Sequence, residues 1–280
     1  MEISSFKNVR DEFAEACEWM NGLGLQIHNT RIQRYLSTLD EMIALPASER
    51  DVHSDQDNQR FRNTLFEVGE LAQIYRAFKD SELVGLQNRI SVISQGLDSY
   101  YEGTPRTNTS SRDLLFELLM ASRFVLSGQT VALNVTDDVT WIHDGESISV
   151  QCKRCKTIRS IARNIHDAAK QIICDKNDDS LNVTRGIIAL DLTAVINPTF
   201  HLFKGKTQHA MENQIRYDLN LTIRNHIDNW RSINSGADAF LIRFSAVGQV
   251  MNTGDAAYAQ YYSLWPIVQS TAVDALSNSF

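Results

Sequence analysis

The run from Asp137 to Lys156, DDVTWIHDGESISVQCKRCK, constrains this chain more than any other stretch, because its centre is an Asp144-Gly145 pair between alternating segments. An Asp-Gly pair in that setting predicts a two-residue type I′ turn, whose twist matches that of two antiparallel strands. The register then follows by counting outward. His143 faces Glu146, Trp141 faces Ile148, Val139 faces Val150 and Asp138 faces Gln151. Side chains alternate between the two sides of a strand. One face therefore carries Val139, Trp141, Ile148, Val150 and Cys152, and the other carries Asp138, Thr140, Ser147, Ser149, Gln151 and Lys153. A slip of one residue would bury the polar set and expose the Trp, so the register is well specified.

Around this hairpin the chain reads as ordered and globular. Its 280 residues are 43% hydrophobic and 22% charged, with only 4 Pro and 13 Gly, enough for one large domain or a domain with an extension. The net charge of -7 means that a nucleic-acid site must be a local basic patch. No apolar run approaches membrane-spanning length and no basic-then-apolar leader is present, so the expectation is a cytoplasmic protein with no membrane contact. The 4 Cys are too few for a disulfide framework in a chain of this length.

Residues 1–104 read as a helical N-terminal region. Apolar residues recur at helical spacing over Phe6–Met20 and Thr30–Leu45, and two further helices are expected over Arg60–Lys79 and Leu83–Tyr100, with a loop at Ser48–Asn58. None of these segments spaces its polar residues as a catalytic cluster would, so the region is expected to be scaffold, partner surface or target recognition. Turn-formers crowd Glu102–Ser111 and mark the boundary of a second region, 105–280. There the pattern predicts a helix at Arg112–Leu126, a strand at Gln129–Asn134, the hairpin, and a helix at Lys156–Asp175 with Ile158, Ile161, Ala162, Ile165, Ala168 and Ile172 inward. Next come a central strand at Arg185–Ile196, a polar connection leading into a helix before Trp230, and strands at Ala239–Val247 and Tyr261–Val268. The class is α/β.

Glu117 lies among Leu114, Leu118, Met120 and Ala121 in a helix apolar nearly all round. A carboxylate there is costly unless it is paired, with Arg112 or Arg123 as candidates, reaches out to solvent, or binds metal. An acidic residue on a helix, an Asp opening a hairpin, a hydrophobic–Gln–x–Lys strand and a following helix together resemble the PD-(D/E)xK nuclease superfamily. The residues that carry the resemblance are Glu117, Asp138, Gln151 and Lys153, over roughly 112–200.

That resemblance implies a restriction-endonuclease-like core, a mixed central sheet flanked by helices. It also implies a Mg²⁺- or Mn²⁺-dependent endonuclease acting on DNA, in the style of restriction or anti-phage effectors, working as a homodimer or with a motor or sensor protein. Asp138, Gln151 and Glu117 would hold the metal, with Lys153 orienting water or stabilising developing charge. Gln151 stands where the family usually has an acidic residue, and offers only a neutral carbonyl oxygen. Asp137 stands where the family often has Pro, and by register points away from the site. Arg154, Lys156, Arg159 and Arg163, at the start of the helix after the hairpin, are the expected contacts to nucleic-acid phosphates. The contrasting reading is a nuclease-like domain that no longer cleaves and instead binds nucleic acid or scaffolds a complex.

Other chemistry has less support. Cys152-Lys153-Arg154-Cys155 is half of a zinc site or a redox pair at most, and Cys152 falls on the apolar hairpin face. His143 and His166 have no sequence partner, Asp191 interrupts an apolar strand, and neither a phosphate-binding loop nor a nucleophile elbow is present.

Overall fold

In the computed structural model the described residues are 2–4, 6–44, 55–81, 83–96, 110–133, 138–178, 181–199, 201–233, 236–251 and 255–268. In chain order the elements are β1 (Glu2–Ser4), α1 (Phe6–Gly22), α2 (Arg31–Ala44), α3 (Asp55–Phe78), α4 (Leu86–Ser94), α5 (Ser110–Leu126), β2 (Thr130–Ala132), β3 (Val139–His143) and β4 (Glu146–Arg154). They continue with α6 (Ile158–Asn177), β5 (Val183–Asp191), α7 (Thr193–Ile196), β6 (Phe203–Gly205), α8 (Gln208–Arg231), β7 (Ala239–Val250) and β8 (Asp255–Pro266).

The turn at Asp144-Gly145 forms with positive φ at both residues, 50° and 80°, the type I′ geometry. Pairing follows from it: Val139 with Val150, Trp141 with Ile148 and His143 with Glu146. Trp141 is fully buried and stacks on Phe124 of α5 at 5.4 Å, while its Nε1 donates to Gln129 Oε1 at 3.1 Å.

The hairpin belongs to a mixed sheet of order β1-β8-β7-β5-β4-β3-β2, with β6 paired to the end of β7. β4, β5 and β7 run parallel to one another, and the outer pairs are antiparallel. Period-two alternation divides the core in two. Val150, Cys152, Ile187, Ala189 and Leu241 pack with α1–α5 on one side, and Ile188, Leu190, Phe240 and Ile242 pack with α6 and α8 on the other. The fold is thus α/β, a mixed sheet flanked by helices. The boundary expected between 104 and 105 lies in residues 97–109, outside the described residues, and side chains from both sides of it enter the same hydrophobic cluster.

Local differences from the expected elements have identifiable causes. The apolar run after Arg185 does not stay extended to Ile196. Asp191 Oδ1 accepts from Thr193 N–H at 2.9 Å and Thr193 Oγ1 at 2.5 Å, which turns the chain into α7. The polar connection before α8 contains the short strand β6, and the N-terminal region contributes a strand, β1, at the sheet edge. β8 begins at Asp255, ahead of Tyr261. α3 begins at Asp55, inside the expected loop. On α6, Ile158 and Ala162 are exposed, and the buried line runs through Ile161, Ile165, Ala168, Ala169 and Ile172. No helix among the described residues is long and apolar enough to cross a membrane.

Candidate active site

β4 passes under α5, and Asp138 lies one residue before β3, so the open end of the hairpin meets the α5 helix. Asp138 Oδ2 accepts from the backbone N–H of Cys152 at 2.6 Å and from Lys153 Nζ at 3.4 Å. The Asp138 and Lys153 side chains keep 17% and 20% of their exposure, enough to reach a ligand from solvent. Glu117 comes in from α5 and is mostly buried. Its ion-pair partner is Arg89 of α4; of the two arginines expected to pair with it, Arg112 pairs with Glu67 and Arg123 lies over the Tyr262 ring.

Burial pushes the Glu117 carboxyl up to about 7; the nearby Asp138 charge adds to the rise, and Arg89 and Lys153 oppose it. Glu117, Asp138 and Lys153 are therefore electrostatic neighbours. The rise makes the native state the stronger proton binder between the ordinary carboxyl value of 4.5 and about 7. This group's contribution to stability is complete below the first value and is lost as the pH rises to the second. A cation binding here competes with that proton. Mn²⁺ affinity is expected to rise from about pH 6 to about pH 8, and the rise to vanish in Glu117→Gln, as calorimetric titrations would read directly.

Gln151 is engaged elsewhere. It is fully buried, and its Nε2 donates to Asp175 Oδ2 on α6 at 3.1 Å and to Ser149 Oγ at 3.2 Å. Ser149 Oγ in turn donates to the same Asp175 oxygen at 2.7 Å. Gln151 Oε1 has no hydrogen-bond partner. Of the four expected site residues, then, three are brought together, and the fourth is anchored to α6 with its carbonyl oxygen uncommitted.

These groups fit a hard divalent cation. The donors are two carboxylates and an orphaned amide oxygen, and Mg²⁺ characteristically takes one or two carboxylates and fills its remaining positions with water and substrate oxygen. Among the described residues no three His, Cys, Asp or Glu side chains converge, so the protein share of such a site would be small. Asp137 lies outside the described residues.

The basic residues separate into two groups. Arg159 and Arg163 are exposed along α6, in line with Lys170, and Lys156 is exposed just ahead of the helix. Arg154 does not join them. Alternation along β4 turns it to the α5 side, where it approaches Asp191 at 3.9 Å with 14% of its side chain exposed. It begins a row across the sheet, Arg154 beside Asp191 beside Arg243, in register on three parallel strands. Arg243 donates to Asp191 at 2.9 Å and to Glu70 of α3 at 2.5 Å. Next to this row, Glu67 of α3 pairs with Arg31 and Arg112.

Sequence reasoning missed Arg89, Asp175, Glu67 and Glu70. The last two could have been found, since they stand in an apolar helical stripe as Glu117 does. Cys152 and Cys155 are buried on opposite faces of the sheet, in different core clusters, so they act as packing residues and form neither a zinc half-site nor a redox pair. Burial pushes the Cys155 thiol up to about 12, which leaves it unreactive.

Comparison with protein-family models and with curated protein sequences gives no match.

Proposed function

We propose that this chain is a divalent-metal-dependent nuclease that hydrolyses phosphodiester bonds in DNA on a restriction-endonuclease-like core. The observation that carries the reading is the convergence of Glu117 from α5, Asp138 from just ahead of β3 and Lys153 from β4. The order of elements supports it as well. α5 bears Glu117, Asp138 opens the hairpin, Gln151-x-Lys153 lies on β4 and α6 follows.

Mg²⁺ or Mn²⁺ would be held by Asp138 and Glu117, with Gln151 Oε1 as the neutral donor, and would supply charge to polarise the phosphate and to acidify a water. The protein's own part is separate. Lys153 is held beside Asp138 and places a positive charge where negative charge develops on the phosphate oxygens. Lys156, Arg159 and Arg163 present a cationic line for the backbone of the nucleic acid. By analogy of fold, the setting is a cytoplasmic restriction or anti-phage effector working as a homodimer or with a motor or sensor protein.

The test is cleavage of plasmid and single-stranded DNA with Mg²⁺, Mn²⁺ or EDTA. Nicking that needs the metal and stops in EDTA supports the reading; no turnover with any metal, while DNA is still bound, overturns it. That second outcome belongs to a binding module, which the engagement of Gln151 by Asp175 and of Glu117 by Arg89 favours. In either case Lys156 and the first turns of α6 make the phosphate contacts. Replacing Lys156, Arg159 and Arg163 together by Ala is expected to flatten the slope of log affinity against log salt by about 3, one unit for each lost contact, as measured by fluorescence anisotropy over a salt series.

A further inference from the structure

A buried carboxylate in the last turn of a helix needs an explanation. Asp175 sits at the negative end of the α6 dipole, which disfavours an anion, and it is 7% exposed. Helix stability does not account for its position. What it touches does. One oxygen of Asp175 accepts both from Ser149 Oγ at 2.7 Å and from Gln151 Nε2 at 3.1 Å, and both donors are fully buried. An amide whose NH₂ is bonded to a carboxylate has its orientation decided, because the carboxylate can only accept. Gln151 Oε1 must then point away from Asp175, and it is left buried with no hydrogen-bond partner. An orphaned buried acceptor is costly and rare in a folded protein.

We propose that Asp175 is a positioning residue of the candidate active site: it locks the Gln151 amide so that Oε1 is held as a dedicated ligand for the divalent cation. The inference rests on the nuclease reading and deepens it. It also gives a physical reason for an amide at position 151. A Glu there would stand a hydrogen bond's length from Asp175 in a buried setting, where two carboxylates do not both ionise. With Gln, the contact becomes a charge-assisted hydrogen bond, and the negative charge missing from position 151 is returned one residue behind it.

The experiment is Mn²⁺ titration by calorimetry, with thermal unfolding alongside, on wild type, Asp175→Asn, Gln151→Glu, the double variant carrying both, and Asp138→Ala. Asp175→Asn is expected to weaken Mn²⁺ binding about 10-fold, the scale of losing a partner that orients a metal ligand. Gln151→Glu alone is expected to lower Tm and to gain no affinity, although it adds a carboxylate. The double variant exchanges amide and carboxylate, and is expected to recover both Tm and Mn²⁺ binding. A purely structural role for Asp175 would move Tm alone. Wild-type Mn²⁺ affinity in Asp175→Asn, with binding lost in Asp138→Ala, overturns the inference and leaves the nuclease reading standing. Absence of Mn²⁺ binding by wild type, or binding untouched by Asp138→Ala, overturns the reading itself and this inference with it.

Discussion

Replacing Arg243 by Ala is expected to destabilise the protein by about 3–5 kcal/mol, the cost of breaking a buried ion pair from one side. Arg243 is fully buried in the middle of the sheet, and its guanidinium holds Asp191 of β5 at 2.9 Å and Glu70 of α3 at 2.5 Å while lying over the Phe116 ring of α5. One side chain thus ties two strands to two helices. Burial pushes the Glu70 carboxyl up, and the Arg243 charge is the main influence restraining that rise. Without Arg243, Glu70 and Asp191 are left as near neighbours in a setting that stabilises neither charge, and the native state must take up a proton or admit water. Asp191 also caps the turn into α7, so the disturbance reaches the end of β5.

Arg243→Lys is expected to recover little of the loss, because an ammonium does not reproduce a planar fork reaching two carboxylates. Denaturant unfolding of the two variants against wild type measures the effect. A loss under about 1 kcal/mol in Arg243→Ala, the scale of an exposed pair, would mean that the network is solvated and does not hold the layers together.

The hairpin was legible because its determinants are local. A positive φ is needed at two adjacent residues, Asp-Gly supplies it, and alternation then decides which side every neighbour faces. The same alternation separates Cys152 from Cys155, three residues apart on a strand end, so the packing role of both could be read from spacing. Glu117 was legible as a misfit in an apolar helix, although its partner was not. Arg89 comes from another helix, and nothing in the spacing of α5 points to it. The buried charges follow the same rule. Glu70, Asp191 and Arg243 lie on α3, β5 and β7, and each looks ordinary or merely odd in its own segment until the sheet order sets β5 beside β7. Arg154 was assigned to the surface because it adjoins Lys156 in sequence, but it is still on the strand, where side chains alternate and do not wind. Gln151 carried half of its role in the sequence. Its place opposite Asp138 follows from the turn, whereas Asp175, which decides what its amide does, is 24 residues further on.

Asp138 offers the sharpest separation of chemistry from folding. Asp138→Asn retains an oxygen that accepts the Cys152 N–H, so its stability is expected to stay within about 1 kcal/mol of wild type, the net worth of one hydrogen bond. It loses the anion that would bind the metal and that holds Lys153. Metal-dependent cleavage is expected to fall by at least about 10³-fold, the upper range for removing one preorganised electrostatic group, because here the metal's anchor goes as well. Asp138→Ala is expected to lose the same activity and also to unfold more easily, since the Cys152 N–H loses its acceptor. Lys153→Met keeps the metal ligands and is expected to lower kcat by about 10²–10³-fold with little change in KM, as follows when a group acts mainly on charge that develops in the transition state. Single-turnover cleavage of a labelled duplex, with unfolding curves for each variant, makes the comparison. If Asp138→Asn cleaved at the wild-type rate, the convergence at the hairpin would be a structural clasp between β3 and β4, and the catalytic reading would have to be given up. Loss of cleavage in Asp138→Asn and Lys153→Met with both folds intact leaves no structural account of that loss, because the hydrogen bond that closes the hairpin is still made.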